Sequence, residues 1–187
     1  MFAPDQPEKK EDAFAVYKNF VSAYHAKIAF RKACRRLLNP EAWKRMDEAK
    51  KVEYILLDRN GRKIRRLMRE HDFVELISKA NKYRGRNFRR WLFIETVMDK
   101  RNRWDTQEYL AVKITVSGDP KQNAEGAFPV YLSDSKTIKI SREGKGLFAT
   151  KILATENRMD SALPRERDTT DLIPWDHFLE ALMNDLT

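Results

Sequence analysis

Apolar residues near the start of the chain recur at helical spacing. Phe14, Tyr17, Val21, Tyr24 and Ile28 fall at steps of 3, 4, 3 and 4, which puts them on one stripe of a helix. The pattern predicts a helix from about Lys9 to Leu38, with the stripe in the core or in a self-association seam. Arg31, Lys32, Arg35 and Arg36 occupy its last turns, where they would meet the negative end of the helix dipole. Asn39, Pro40 and Glu41 then have the order of an N-cap, a first-turn proline and an acidic first turn. They predict a second helix running toward Leu57.

The stretch "DRNGRKIRRLMREHD", residues 58–72, supports two readings. Asn60-Gly61 is a strong hairpin signal after the strand-like "VEYILL". It is also a helix terminator, with Gly61 in the left-handed position. Spacing favours helix, turn, helix: Arg62, Arg65, Arg66 and Arg69 sit at i, i+3, i+4 and i+7, opposite Ile64, Leu67 and Met68. A further helix is expected from Asp72, as its cap, to Tyr83, closed by Gly85.

Beyond Gly85 the period becomes 2. In "QEYLAVKITVSG", Glu108, Leu110, Val112, Ile114 and Val116 alternate with Tyr109, Ala111, Lys113 and Thr115. With "RRWLFIETVM", "FPVYL", "KTIKISR" and "LFATKILAT", this predicts an antiparallel meander of about five strands. A polar connection then leads to Pro174, read as the first residue of a short final helix ending near Leu186. The fold class expected is α+β. The expected organisation is a loose leader at 1–8, a basic helical module at 9–86, a sheet or small barrel at 87–155, and a connection with a C-terminal helix at 156–187. All of these could form one domain.

Charge changes this picture most. The chain of 187 residues carries a formal net charge of +9. Residues 1–103 hold 27 Lys and Arg against 14 Asp and Glu, and residues 59–103 alone hold 15 against 5. A basic balance so concentrated suits a polyanionic partner. The start of the chain lacks the positive end and apolar core of a secretory signal, and no apolar run reaches the ~18 residues of a membrane span. A cytoplasmic location is therefore expected.

Chemistry-bearing motifs are scarce. Cys34 is the single cysteine and, with His25, His71 and His177, shows no zinc-site spacing. Cys34 reads as a buried small hydrophobe. Phosphate-binding glycine loops, HExxH, GxSxG and CxxC are absent from the sequence. Glu143-Gly144-Lys145, with Asp119 or Asp134, has the acid and lysine spacing of a metal-dependent nuclease, but two glycines beside it argue for a tight turn. Glu95, Asp99, Asp105 and Glu108 read as ion-pair partners of nearby arginines. No metal site and no cofactor are expected.

The remaining signal is base next to aromatic in "NKYRGRNFRRW" and "DKRNRW". Arginine takes phosphate bidentately and stacks on rings. Tyr83, Phe88, Trp91 and Trp104, where exposed, would serve as stacking platforms. The expected function is non-enzymatic binding of RNA or DNA through Arg62, Arg65, Arg66, Arg69, Lys82, Tyr83, Arg84, Arg86, Arg89, Arg90, Arg101, Arg103 and Trp104. A protein partner is expected on the sheet or on the C-terminal helix. The alternatives are an adaptor or inhibitor gripping an acidic protein surface, with "DLIPWDHFLEALM" as a docking helix, and a small nuclease.

Overall fold

A computed structural model describes residues 13–46, 52–78, 88–102, 106–122, 135–154 and 173–186. The chain runs β1 (Ala13–Asn19), α1 (Ala23–Leu37), α2 (Pro40–Met46), β2 (Val52–Leu57), β3 (Phe73–Ser78), β4 (Phe88–Lys100), β5 (Gln107–Ser117), β6 (Ser135–Glu143), β7 (Gly146–Ala154) and α3 (Trp175–Met183). Seven strands form one antiparallel sheet in the order β1-β7-β6-β5-β4-β3-β2. The α+β class holds, but the sheet has seven strands rather than about five. The expected strand "FPVYL", the leader at 1–8 and the connection at 156–171 lie outside the described residues.

The N-terminal stripe is where sequence and structure part first. Phe14 and Tyr17 lie on β1, not on a helix, and Ser22 starts α1 by accepting a hydrogen bond from the His25 amide at 3.2 Å. Tyr17, Val21, Tyr24 and Ile28 are all exposed, Val21 at 87% and Tyr24 at 71%. The buried face of α1 is instead Ala26, Ala29, Phe30, Ala33, Cys34 and Leu37. Its small residues let the helix approach β6 and β7 closely. Burial pushes the Cys34 thiol pKa well above its ordinary value.

The cap at Asn39 is as read: its Oδ1 accepts from the Glu41 amide at 3.2 Å. The second helix, however, is α2 alone, and "VEYILL" is the edge strand β2. Trp43 fixes α2 by donating Nε1–H to the Leu37 carbonyl at 3.1 Å and packing edge-on against Tyr54, Trp175 and Phe178. The final helix α3 starts one residue later than expected, with Pro174 as its N-cap, and packs on β1 and β7. Arg36 holds its end by donating to the carbonyls of Leu182, Asn184 and Asp185. One core cluster reaches from Ala29 to Leu186, so α1 to α3 and strands from β2 to β7 share it.

The helix expected from Asp72 is the strand β3. Asp72 does not cap forward; its carboxylate accepts from the Arg69 amide behind it at 2.7 Å. Phe73 to Ile77 carry apolar side chains on both faces: Val74 and Leu76 enter the main core, while Phe73 joins Leu57 and Phe93 in a small cluster on the other side. That leaves no period to read.

Candidate nucleic-acid interface

Residues 58–72 are neither the expected amphipathic helix nor a full hairpin. Asp58 closes a turn on itself: its Oδ1 accepts from the amides of Asn60 at 2.9 Å and Arg62 at 2.8 Å, and Gly61 sits at φ 74°. The hairpin that follows is short: one antiparallel bridge, Leu57 with Lys63, and backbone bonds from the Asp58 amide to the Arg62 carbonyl at 2.9 Å and from the Ile64 amide to the Leu56 carbonyl at 3.0 Å. Ile55 pairs with Glu75 of β3, not with Arg66. The chain then crosses to the helix layer, where Met68, 2% exposed, is buried and its amide donates to the Leu38 carbonyl at 2.8 Å. It returns to the sheet through His71, which donates to the Ile94 carbonyl at 2.8 Å and stacks on Phe93.

This path sorts the four arginines. Arg62, Arg65 and Arg69 are exposed, whereas Arg66 pairs bidentately with buried Asp72 at 2.6 and 2.8 Å. They share no helical face, so phosphate tracking along a helix has no geometry here. What replaces it is an irregular connection, anchored at both ends and in its middle, that exposes Arg59, Arg62, Arg65 and Arg69.

The Met68–Leu38 bond seats the connection on the C-terminal end of α1, which bears exposed Arg31, Lys32 and Arg35. Arg101 stands just after β4 and is exposed. It is also held by Asp99, whose carboxyl the guanidinium keeps below the usual carboxylate range. Arg31 and Arg35 had a complete local explanation in the helix dipole, and only the fold brings the end of their helix to the connection.

Among the described residues, the members of the cluster expected over 82–103 do not form one patch. Arg89 and Arg90 lie near the start of β4 and Arg101 beyond its end, roughly 40 Å away along an extended strand. Arg89 is exposed and 3.4 Å from Glu75, while Arg90 is half-buried and points to the opposite face. Trp91 is half-buried against the Leu57, Phe73 and Phe93 cluster rather than standing clear as a platform. Lys82, Tyr83, Arg84, Arg86, Arg103 and Trp104, and the side chain of Phe88, lie outside the described residues.

The acidic residues are largely engaged. Glu95 pairs with Lys113 at 2.8 Å, Asp99 with Arg101, and Glu108 with Arg142 at 2.8 Å, the last pair fully buried; Asp105 lies outside the described residues. Glu143, Gly144 and Lys145 form the tight β6–β7 turn, with Gly144 at φ 54° and Glu143 accepting from Gln107 at 2.8 Å. Among the described residues no three His, Cys, Asp or Glu side chains gather as a metal site would require. Asp134 lies outside them.

One surface escaped the sequence reading. On the sheet face away from the helices, Tyr17, Phe148, Ser141, Tyr109 and Lys100 stand in a single row across β1, β7, β6, β5 and β4. The alternation in β5 placed Tyr109 on the face opposite the core, but strand order alone makes the row.

No known protein family matches the chain, and no curated protein matches it. Among solved structures it is similar to Ara h 8.0201, at 10% identity and a TM-score of 0.43, over 94% of this chain and 97% of that one. It is also similar to a Staphylococcus aureus protein of unknown function, at 10% identity and a TM-score of 0.35, over 92% and 95%. Among the described residues no helix is long and apolar enough to cross a membrane.

Proposed function

We propose that the protein is a non-enzymatic nucleic-acid-binding protein whose phosphate contacts are Arg62, Arg65 and Arg69, assisted by Arg31, Arg35 and Arg101. The observation that carries this reading is the exposure of Arg62, Arg65 and Arg69 on one connection in which Arg66 is spent on holding the backbone in shape. Guanidinium groups presented from an anchored backbone lose less freedom on meeting phosphate than groups on a loose tail. Affinity would come mainly from phosphate neutralisation, with little sequence preference.

A second reading has its own observation. Val21, just before α1, and Tyr24 and Ile28 on it are exposed apolar side chains, and the same helix bears Arg31 and Arg35, which suits an adaptor gripping an acidic protein surface or a self-association seam. Binding to duplex DNA, single-stranded DNA and RNA at two salt concentrations, with Mg²⁺ present so that cleavage is also seen, separates the readings. Salt-sensitive binding of intact nucleic acid supports the first. No binding at physiological salt rejects it in favour of the adaptor, and cleavage lost in Glu143→Ala supports a nuclease.

A further inference from the structure

We propose that the outer face of the sheet is a platform for unpaired bases, with Tyr109 and Phe148 stacking on bases and Lys100 and Lys139 meeting phosphates. The inference rests on the nucleic-acid reading for its ligand class and assigns that ligand a second surface and a strand state. The row from Tyr17 to Lys100 is the starting point. Tyr17 and Phe148 touch, with ring centroids 4.8 Å apart at 39°, and Lys139 Nζ lies over the Tyr109 ring, 4.8 Å from its centre, so a base stacking on that face displaces the ammonium toward its phosphate. Between the two aromatic positions stands Ser141, paired with Phe148 on one side and Tyr109 on the other. Two strand spacings put Phe148 and Tyr109 about 10 Å apart at the backbone, with only a hydroxymethyl group between them.

The result is a depression of about 460 Å³ whose lining includes Lys100, Gln107, Tyr109, Lys139, Ser141 and Phe148, a size within the usual range for small-ligand sites of ~300–1,000 Å³. Its contents specify the occupant. Ring faces and two lysines match a base with its phosphate, and Ser141 and Gln107 offer hydrogen bonds to base edges. Of the two acids in the lining, Glu143 is turned onto Gln107 and Glu108 is paired with Arg142. Stacked bases in a duplex expose no ring face to a flat sheet, so the occupant is a single strand.

The test measures the binding of a labelled oligothymidylate and of a mixed-sequence DNA duplex of equal length. The proteins are the parent, Tyr109→Ala/Phe148→Ala, Tyr109→Trp, and Arg62→Gln/Arg65→Gln/Arg69→Gln. The aromatic double variant should lose about tenfold or more in single-strand affinity, with the duplex affinity and salt slope unchanged. Tyr109→Trp should keep single-strand binding, and the arginine variant should weaken both ligands. Because Phe148 is half-buried against Tyr17, melting curves accompany the assay. Should the double variant melt early, Tyr109→Ala and Lys139→Gln decide by the same criterion. Equal weakening of both ligands, or no change in single-strand binding, overturns the platform while leaving the nucleic-acid reading standing. A parent protein that binds neither ligand overturns both.

Discussion

Arg66 and Asp72 form a two-pronged ion pair, Nη1 to Oδ2 at 2.6 Å and Nη2 to Oδ1 at 2.8 Å, that closes the connection between β2 and β3. The same carboxylate also accepts from the Arg69 amide at 2.7 Å, so one buried side chain ties the Arg66 guanidinium to the backbone that displays Arg69. Its position explains why four arginines at helical spacing do different work: one is structural, and three face solvent.

The four arginines should therefore separate in stability measurements. Arg66→Gln removes charge-assisted bonds to a buried carboxylate and should cost about 1–3 kcal/mol, discounted toward the lower figure because the arginine side chain is 34% exposed. Gln at 62, 65 or 69 should stay within about 0.5 kcal/mol each. Urea unfolding of the four single variants checks this, and an Arg66→Gln protein as stable as the other three contradicts it.

The pair Glu108–Arg142 presents the stronger case, because both side chains are nearly sealed, 2% and 4% exposed, with Lys27 Nζ 3.9 Å from the same carboxylate oxygen. Glu108→Gln leaves the guanidinium buried without its counter-charge and should cost about 3–5 kcal/mol. A Glu108→Leu/Arg142→Leu protein should recover much of that loss, since paired removal also removes the desolvation cost. Additive losses in the double variant, read by urea unfolding, would count against this expectation.

Local chemistry was legible in the sequence and tertiary chemistry was not. Asn39-Pro40-Glu41 announced α2, and the period-2 runs announced β4 to β7, because each signal is complete within a few residues. Asp72 looked like a helix cap because its type and place fit one, yet its partners are Arg66 and the Arg69 amide, both earlier in the chain. The stripe from Phe14 to Ile28 joined a strand to a helix across Ser22, and the spacing that made it look continuous was accidental. Arg62, Arg65 and Arg69 were found by charge alone; their arrangement depends on Met68 meeting Leu38, thirty residues back, which no local pattern records.

Gly61 should be less replaceable than Gly144 of the β6–β7 turn. Its φ is 74°, and a Cβ there would lie 2.8 Å from Lys121 Cγ. Gly144, at φ 54°, would meet nothing within 4 Å. Gly144→Ala therefore carries only the backbone strain of about 1–2 kcal/mol, and Gly61→Ala should exceed it. Paired urea titrations measure the difference, and equal losses would mean that the Lys121 side chain moves aside at no cost.

The proposed function stands or falls on whether Arg62, Arg65 and Arg69 meet phosphates. The most direct test is the slope of log binding constant against log salt for a DNA duplex, compared between the parent and Arg62→Gln/Arg65→Gln/Arg69→Gln. Binding should weaken for every sequence, the slope should flatten by up to about 0.9 for each phosphate no longer neutralised, and the melting temperature should stay unchanged. The same affinity and the same slope in the triple variant would contradict the proposal.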